Sequence, residues 1–485
     1  MDNGNLKRFL VAAIALLILS GFMPSLSLSA GYLTSHPAAS EYIYVFDVDE
    51  DGNAKVTISF KSYVPGDSWF FVPNATRWDL KVASGRLLSK DIEYTKWVFY
   101  NNFTFTYAPS EGSFELKISY YFPYASIVVT DSAMFVSPQI AFDERSKALI
   151  LLKLPLTAII DKKRYKIIRH DGRILAYEPR IERELRKIIL KCEVPGEEAN
   201  IFRVYLLYNV PWTPLLNFVK EVKVEGRVSK ITVKAPARYK SIAERILNAY
   251  EGAFPVLTHI THTALNYVTV RFFSPDFRSL WTGGYVEPFT GGRLKNINLN
   301  PFFIRTRNGS LEQIAIHELV HQFLLAAGIY PQEILWFHEG SAEYFSITIA
   351  KKLGYIGAYY RERELEEAVK ECLIEKGKKP GFIQEWGKEP NVPITYYYAV
   401  AYYVVKYLAD HYGGMEFYSK FYSLIREKKV VICDQSTLIY FLSKAAGEDL
   451  YPLFKRWGFK VSKVLSVTPS ASVFRSPSQK NKILT

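Results

Sequence analysis

Ile316-His317-Glu318-Leu319-Val320-His321 sets two histidines four residues apart, with a glutamate beside the first. On a helix, residues four apart share a face, one turn from each other, so both imidazoles can grip one metal ion. Zn²⁺ favours such nitrogen ligands. Glu318 then stands where a general base is needed for water held at that metal. Taken alone, the motif also fits a helix with two surface histidines. A second stretch, Trp336-Phe337-His338-Glu339-Gly340-Ser341-Ala342-Glu343-Tyr344-Phe345, weakens that bland reading, because Glu339 follows His321 by eighteen residues. A catalytic zinc site takes three protein ligands and keeps a fourth position open. A carboxylate on a second helix, beyond the short loop 329–332, completes the ligand set His317, His321 and Glu339. Its plain alternative is a solvated acid at a helix start, favoured by the helix dipole. Glu343 lies one turn after Glu339 and can orient His317 or His321 through the distal ring nitrogen, unless it is an ordinary solvated acid. His338, next to a ligand, is expected to point elsewhere.

The elements that must hold these groups can be read around them. Ser310 followed by Gln313 reads as a capping box; an apolar run continues to Ala327, and Gly328 suits the position after the helix. Before it, the pattern is helical from Arg238 to His262, with Ile242, Ile246, Tyr250 and Phe254 four apart. Tyr267–Phe273 reads as a strand, followed by Gly283–Pro288 and Leu294–Leu299. After the two motif helices come a charged amphipathic helix over Tyr360–Glu375, a loop over Gly377–Pro393, and a helix opening at Thr395 and ending near Gly413.

His-Glu-Leu-Val-His-Gln-Phe followed by Trp-Phe-His-Glu-Gly resembles the gluzincin metallopeptidases, and most of all the thermolysin-like catalytic domain of the M1 aminopeptidase family and its peptidase-MA relatives. The resemblance covers roughly residues 236–460, with a motif spacing one residue shorter than is usual for M1. It implies that an edge strand before the zinc helix binds the substrate backbone by strand addition, which puts Gly284 and Glu287 at the substrate. Gly284-Tyr285-Val286-Glu287 matches the family's Gly-x-Met-Glu-Asn amine-binding motif only loosely. Met and Asn are absent and the Glu is displaced by one, so aminopeptidase and endopeptidase action both stay open. The resemblance further implies a tyrosine that steadies the oxyanion. Counting back from Tyr407-Leu408 selects Tyr398, with Tyr397 as its rival. Gly447–Trp457 resembles the packing segment that ends the family's catalytic domain.

The 485 residues leave room for two or three domains, and a hydrophobic content of 49% excludes a disordered chain. Residues 31–235 look β-rich, with alternating runs such as Glu41–Phe46, Lys55–Phe60, Phe114–Tyr120 and Ile201–Leu206, which point to a β-sandwich. Asp47, Asp49, Asp51 and Gly52 mimic the start of a calcium loop, but Ile58 stands at the twelfth position and strands flank the turn, so a hairpin is expected. Lys7 and Arg8 before the apolar run Phe9–Phe22, with Pro24 and Ser29-Ala30 beyond, read as a signal peptide or N-terminal anchor. Either form places the body outside the cytoplasm, extracellular or at the cell surface. The net charge of +13 comes without any nucleic-acid motif and suits association with an anionic membrane or cell envelope. Three widely spaced cysteines give no disulfide framework.

The expectation is therefore an α+β chain. A leader (1–30) and a β-sandwich-like N-terminal domain (31–235) precede a thermolysin-like, mainly α-helical zinc peptidase domain (236–465) and a frayed tail (466–485). It would bind one Zn²⁺ and hydrolyse peptide bonds in a peptide or protein substrate, with Glu318 as general base. The alternative from another class is a catalytically inactive cell-surface binding protein on the same fold. That alternative would show as a lost ligand or base, and His317, Glu318, His321 and Glu339 are all present.

Overall fold

The computed structural model describes residues 40–95, 99–287 and 294–464. The leader and the tail expected from the sequence lie outside them. The chain is mixed α+β, with a β-rich N-terminal region and a helical C-terminal region. Among the described residues it forms two compact units, one of residues 40–214 with Ser274–Phe277 and the other of Leu215–Phe273 with residues 278–464.

Strand alternation builds the first unit. In Ser40–Val48 every second side chain is buried (Tyr42, Tyr44, Phe46 and Val48), and Ala54–Ser62 pairs antiparallel to it with Ala54, Val56, Ile58 and Phe60 inward. These two strands sit within a seven-stranded sheet that also carries Lys147–Pro155 and Phe114–Phe122. A six-stranded sheet and a three-stranded one complete the unit around a continuous aromatic core. The calcium-loop lookalike is a hairpin turn, closed by the amide N–H of Asn53 donating to Asp49 Oδ1.

The second unit opens with a hairpin, Leu215–Val224 and Arg227–Pro236, and this corrects the boundary read near residue 236. Arg227–Pro236 runs parallel to Tyr267–Phe272, with Lys230 opposite Tyr267 and Lys234 opposite Arg271. Helix α1 (Lys240–Thr261) makes the crossover between them. Local alternation looked continuous with the N-terminal strands because it reports the strand and not the sheet that strand joins. The five-stranded sheet runs Leu215–Val224, Arg227–Pro236, Tyr267–Phe272, Ile297–Leu299 and Gly284–Val286, so Gly284–Val286 is an edge.

Seven further α-helices follow among the described residues: α2 (Ser310–Ala326), α3 (Leu335–Lys352), α4 (Ile356–Val369), α5 (Ile394–Tyr412), α6 (Met415–Lys428), α7 (Gln435–Ala446) and α8 (Tyr451–Arg456). The capping box is not formed. Gly309, with a φ of 84°, is the N-cap residue of α2, and Gln313 instead donates to Ser346 Oγ on α3. Gly328, with a φ of 85°, stands just beyond the helix as expected. Trp336 packs edge-on against Phe459 and at a tilt against Phe454, ring centroids 5.1 and 6.1 Å away, so the C-terminal segment braces the start of α3. No helix among the described residues is long and apolar enough to cross a membrane.

Candidate metal centre

Helix α2 is buried nearly all round, and its polar side chains are therefore expensive unless they find partners. Glu312 Oε1 meets Arg245 Nε at 2.5 Å, Gln313 donates to Ser346, and Gln322 donates to the carbonyl of Lys295 at 2.7 Å. The last bond holds the segment leading into Ile297–Leu299 against the helix. What remains are His317, Glu318 and His321.

The two imidazoles converge as the spacing predicts. Their Nε2 atoms are 3.1 Å apart, and Glu339 Oε2, from the first turns of α3, lies 3.4 Å from His317 Nε2 and 3.5 Å from His321 Nε2. Two ligand atoms about 2.0–2.1 Å from a tetrahedral zinc ion stand about 3.3–3.4 Å from each other. The triangle thus has the edge lengths of one face of a zinc tetrahedron, and the donor set of two imidazole nitrogens and one carboxylate oxygen suits that ion. All three residues are buried, and they form the one His/Cys/Asp/Glu group among the described residues able to hold a metal. Glu339 Oε2 has no hydrogen-bond partner. Burial works to raise the Glu339 carboxyl, but His321 and His317 beside it prevail and hold it well below the usual carboxylate range.

Glu318 is 1% exposed, and its Oε2 is buried without a hydrogen-bond partner. Burial, with smaller contributions from Glu339 and Glu343, pushes it up to about 8 against the pull of His321. A divalent cation on the neighbouring ligands adds opposite charge and draws it back toward the ionised form. The edge strand passes directly over this carboxylate: a Cβ placed on Gly284 would stand 2.8 Å from Glu318 Cγ and 3.0 Å from its Oε1. Glycine is what lets backbone come that close. The loop before the strand is pinned by buried Asn300, which donates to the carbonyls of Leu280 and Thr282 at 2.8 and 2.9 Å.

Glu343 reaches His317 from the far side, Oε2 to Nδ1 at 4.0 Å. It is held by Arg361 of α4, Nη2 to Oε1 at 2.5 Å, a largely buried cation that the sequence reading missed. Arg361 sits in a run of alternating charges, Arg361-Glu362-Arg363-Glu364, in which nothing local tells the inward residue from the outward ones. His338 was also missed, and the expectation that it points elsewhere is corrected: its Nδ1 lies 2.7 Å from Nδ1 of His321.

Tyr397 and Tyr398 sit in different surroundings. Tyr398 is buried, and burial followed by the carboxylates of Glu339, Glu343 and Glu318 drives its phenol well above the ordinary value, so it stays a hydrogen-bond donor. Its ring meets Trp386 edge-on at 5.1 Å. Tyr397 faces another way: its hydroxyl accepts from the amide of Glu389, and its ring packs on Phe382 at 5.0 Å. Helices α3 and α5, which carry Glu339 and Tyr398, pack closely at Gly340, where a Cβ would be 2.4 Å from the carbonyl oxygen of Ala401. Glu287, by contrast, takes hydrogen bonds from Asn296 Nδ2 at 3.0 and 3.1 Å and from Asn298 Nδ2 at 3.3 Å. It is tied into the strand pair rather than left open to a ligand.

No family model matches the chain, and no curated protein matches it. Among solved structures, the chain is similar to an M1 zinc metallopeptidase from Deinococcus radiodurans, with a TM-score of 0.34 and 12% identity over 89% of this chain and 95% of that one. A likeness this distant carries no functional argument, which rests on the side-chain geometry alone.

Proposed function

We propose that the chain is a zinc-dependent metallopeptidase with a thermolysin-like catalytic unit. The observation that carries this reading is the buried triangle of His317, His321 and Glu339 with the Glu318 carboxylate beside it. Zn²⁺ held there would supply a Lewis acid that polarises a scissile carbonyl and acidifies water. Glu318 accepts the proton of the attacking water at a carboxylate oxygen and delivers it to the leaving amine. Tyr398 donates its O–H to the oxygen that gains charge at the carbonyl carbon. The free edge of Gly284–Val286 offers backbone groups to an extended peptide, which would bring its carbonyl alongside Glu318. Glu287 is already engaged by Asn296 and Asn298, which favours endopeptidase action over capture of a free α-amine. Export to the cell surface through residues 1–30, and contact of the basic chain with an anionic envelope, complete the proposal.

Zinc stoichiometry and peptide hydrolysis, measured together, test it. Purified chain should carry about one zinc, lost in Glu339→Ala. Glu318→Gln should keep the zinc while hydrolysis of blocked peptides falls by about 10²–10⁴-fold, the usual weight of a general base. A wild-type chain that takes up no zinc at neutral pH would overturn the proposal, and one that holds zinc but cleaves no peptide would leave the binding-protein alternative.

A further inference from the structure

We propose that His338 is a positioning residue for His321: its Nδ1 accepts the Nδ1–H of His321 and so fixes the tautomer and ring plane that turn His321 Nε2 toward His317 and Glu339. The inference rests on the zinc reading above.

Two observations define the contact. The Nδ1 atoms are 2.7 Å apart, and the ring planes differ by only 7°. Parallel rings stacked face to face keep their atoms about 3.5 Å apart or more. A 2.7 Å approach between parallel rings is instead an in-plane N–H···N hydrogen bond. Its direction follows from the other end of His321. There Nε2 faces His317 Nε2 and Glu339 Oε2, and a neutral imidazole with its lone pair at Nε2 carries its hydrogen on Nδ1. His321 therefore donates and His338 accepts.

This assignment has a cost that identifies the reason for the residue. With Nδ1 accepting, the hydrogen of His338 sits on Nε2, and that atom is buried without a hydrogen-bond partner. A buried donor left unpaired is unfavourable, so a side chain there for packing alone would be better apolar. The histidine at 338 is useful through its Nδ1. His317 is served by a carboxylate, Glu343, while His321 is served by a neutral ring, so the second ligand is oriented without adding negative charge beside Glu339 and Glu318.

Zinc affinity of the full chain, measured by competition with a chromophoric chelator, tests this on wild type, His338→Asn and His338→Leu. Asparagine puts a carboxamide oxygen where Nδ1 stands; leucine fills similar space without an acceptor. His338→Leu should bind zinc about 10–100-fold more weakly, the usual effect of losing such a partner, and His338→Asn should stay close to wild type. The visible spectrum of the cobalt-substituted protein should shift in the leucine variant and not in the asparagine variant. A packing role predicts the reverse order, with leucine equal to or better than asparagine, and that result overturns the proposal. Melting of the zinc-free proteins reports whether each variant folds, and His338→Ala replaces the leucine variant if that one does not. Wild type without zinc would sink the metal reading itself; wild type that binds tightly, with leucine unchanged, would sink only the role of His338.

Discussion

Gly340→Ala is the sharpest test of how the site is assembled. The new Cβ would lie 2.4 Å from the carbonyl oxygen of Ala401, 2.7 Å from its carbonyl carbon and 3.0 Å from Val405 Cγ2. Two of these are backbone atoms of α5 and cannot turn aside as a flexible side chain does. The approach is about 1 Å short of ordinary contact, so α3 and α5 must part by roughly that amount. Overpacking of this kind costs about 1–3 kcal/mol. Alanine returns about 0.5–1 kcal/mol as the better helix former. The net loss is about 1–2 kcal/mol, which lowers the melting temperature by roughly 2–8 °C for a unit of this size.

The catalytic consequence is separable from the stability loss. His317, His321 and Glu339 all lie on α2 and α3, whereas the three atoms nearest a Cβ at Gly340 all belong to α5. Zinc binding should therefore survive. Tyr398 lies on α5, one turn before Ala401, and it moves with that helix. A shift of about 1 Å at a catalytic group costs on the order of 10²-fold in rate. The expected signature is one zinc per chain, a lower melting temperature, and kcat reduced by about 10²-fold with KM little changed. Zinc titration, thermal melting and steady-state peptide hydrolysis read the three. Unchanged melting and kcat would refute the close-packing argument. Lost zinc with an intact melting temperature would show that α3 rather than α5 gives way.

Three further outcomes follow from the same geometry. Tyr398→Phe should lower kcat by about 10²–10³-fold with little change in KM, as for loss of one oxyanion donor, whereas Tyr397→Phe should leave the rate near wild type. Arg361→Met removes the counter-ion of buried Glu343 and should cost about 3–5 kcal/mol in denaturant unfolding, while Arg361→Met with Glu343→Gln should regain most of it. In zinc-free protein, burial pushes Glu318 up to about 8, above its unfolded value of about 4.3. Its proton then stabilises the fold below that unfolded value, and this stability is lost as pH rises through about 8, at no more than about 1.4 kcal/mol per pH unit. Glu339 acts in the opposite sense but only in acid, since its folded value is depressed. Buried His338, whose folded value is depressed, opposes this below its unfolded value of about 6.5, so melting of zinc-free protein should fall between about pH 6.5 and 8. Chains loaded with zinc should show a flatter profile, and equal slopes would refute the burial argument for Glu318.

The candidate metal ligands were legible in the sequence because each depends on helical periodicity, which is local. His317 and His321 share a face by spacing alone, and Glu339 needed only a second helix after a short turn. The helices over 310–326 and 394–412 and the strands around them were legible for the same reason. Sheet membership was not. The alternation of Leu215–Val224 and Arg227–Pro236 looks like that of the strands before it, and only the parallel pairing with Tyr267–Phe272 assigns them to the second unit. The N-cap of α2 was missed because Ser310 and Gln313 satisfy the local rule, while Ser346, from a distant part of the chain, takes up the glutamine amide. Arg361, His338 and the amides that hold Glu287 were illegible in the same way: each is defined by a partner that only the tertiary fold supplies.

Hydrogen bonding among three buried rings, His317, His321 and His338, and two buried acids, Glu339 and Glu343, shows how a cation suits this site. His321 gives its Nδ1–H to His338, which leaves a lone pair on Nε2 facing His317 Nε2 at 3.1 Å. If His317 filled that gap as a neutral donor through its own Nε2–H, its Nδ1 would be a bare lone pair turned toward the carboxylate of Glu343, acceptor against acceptor at 4.0 Å. If instead His317 kept its hydrogen on Nδ1 for Glu343, two lone pairs would face each other at 3.1 Å with the carboxylate oxygen of Glu339 alongside. With His321 as the Nδ1 donor neither neutral arrangement closes; a neutral chain closes only with every proton shifted, His338 giving its Nδ1–H to His321 and His321 its Nε2–H to His317. Positive charge in the space shared by the two Nε2 atoms and Glu339 Oε2 closes it completely: both outer hydrogens are then used, both inner lone pairs are engaged, and the buried Glu339 carboxylate gains a counter-charge. A proton can supply that charge to one pair of atoms at a time, whereas a metal ion satisfies all three donors together. Glu343, with Arg361 behind it, thus selects the Nδ1–H tautomer of His317 that zinc ligation requires, and zinc at Nε2 in turn makes His321 the donor to His338.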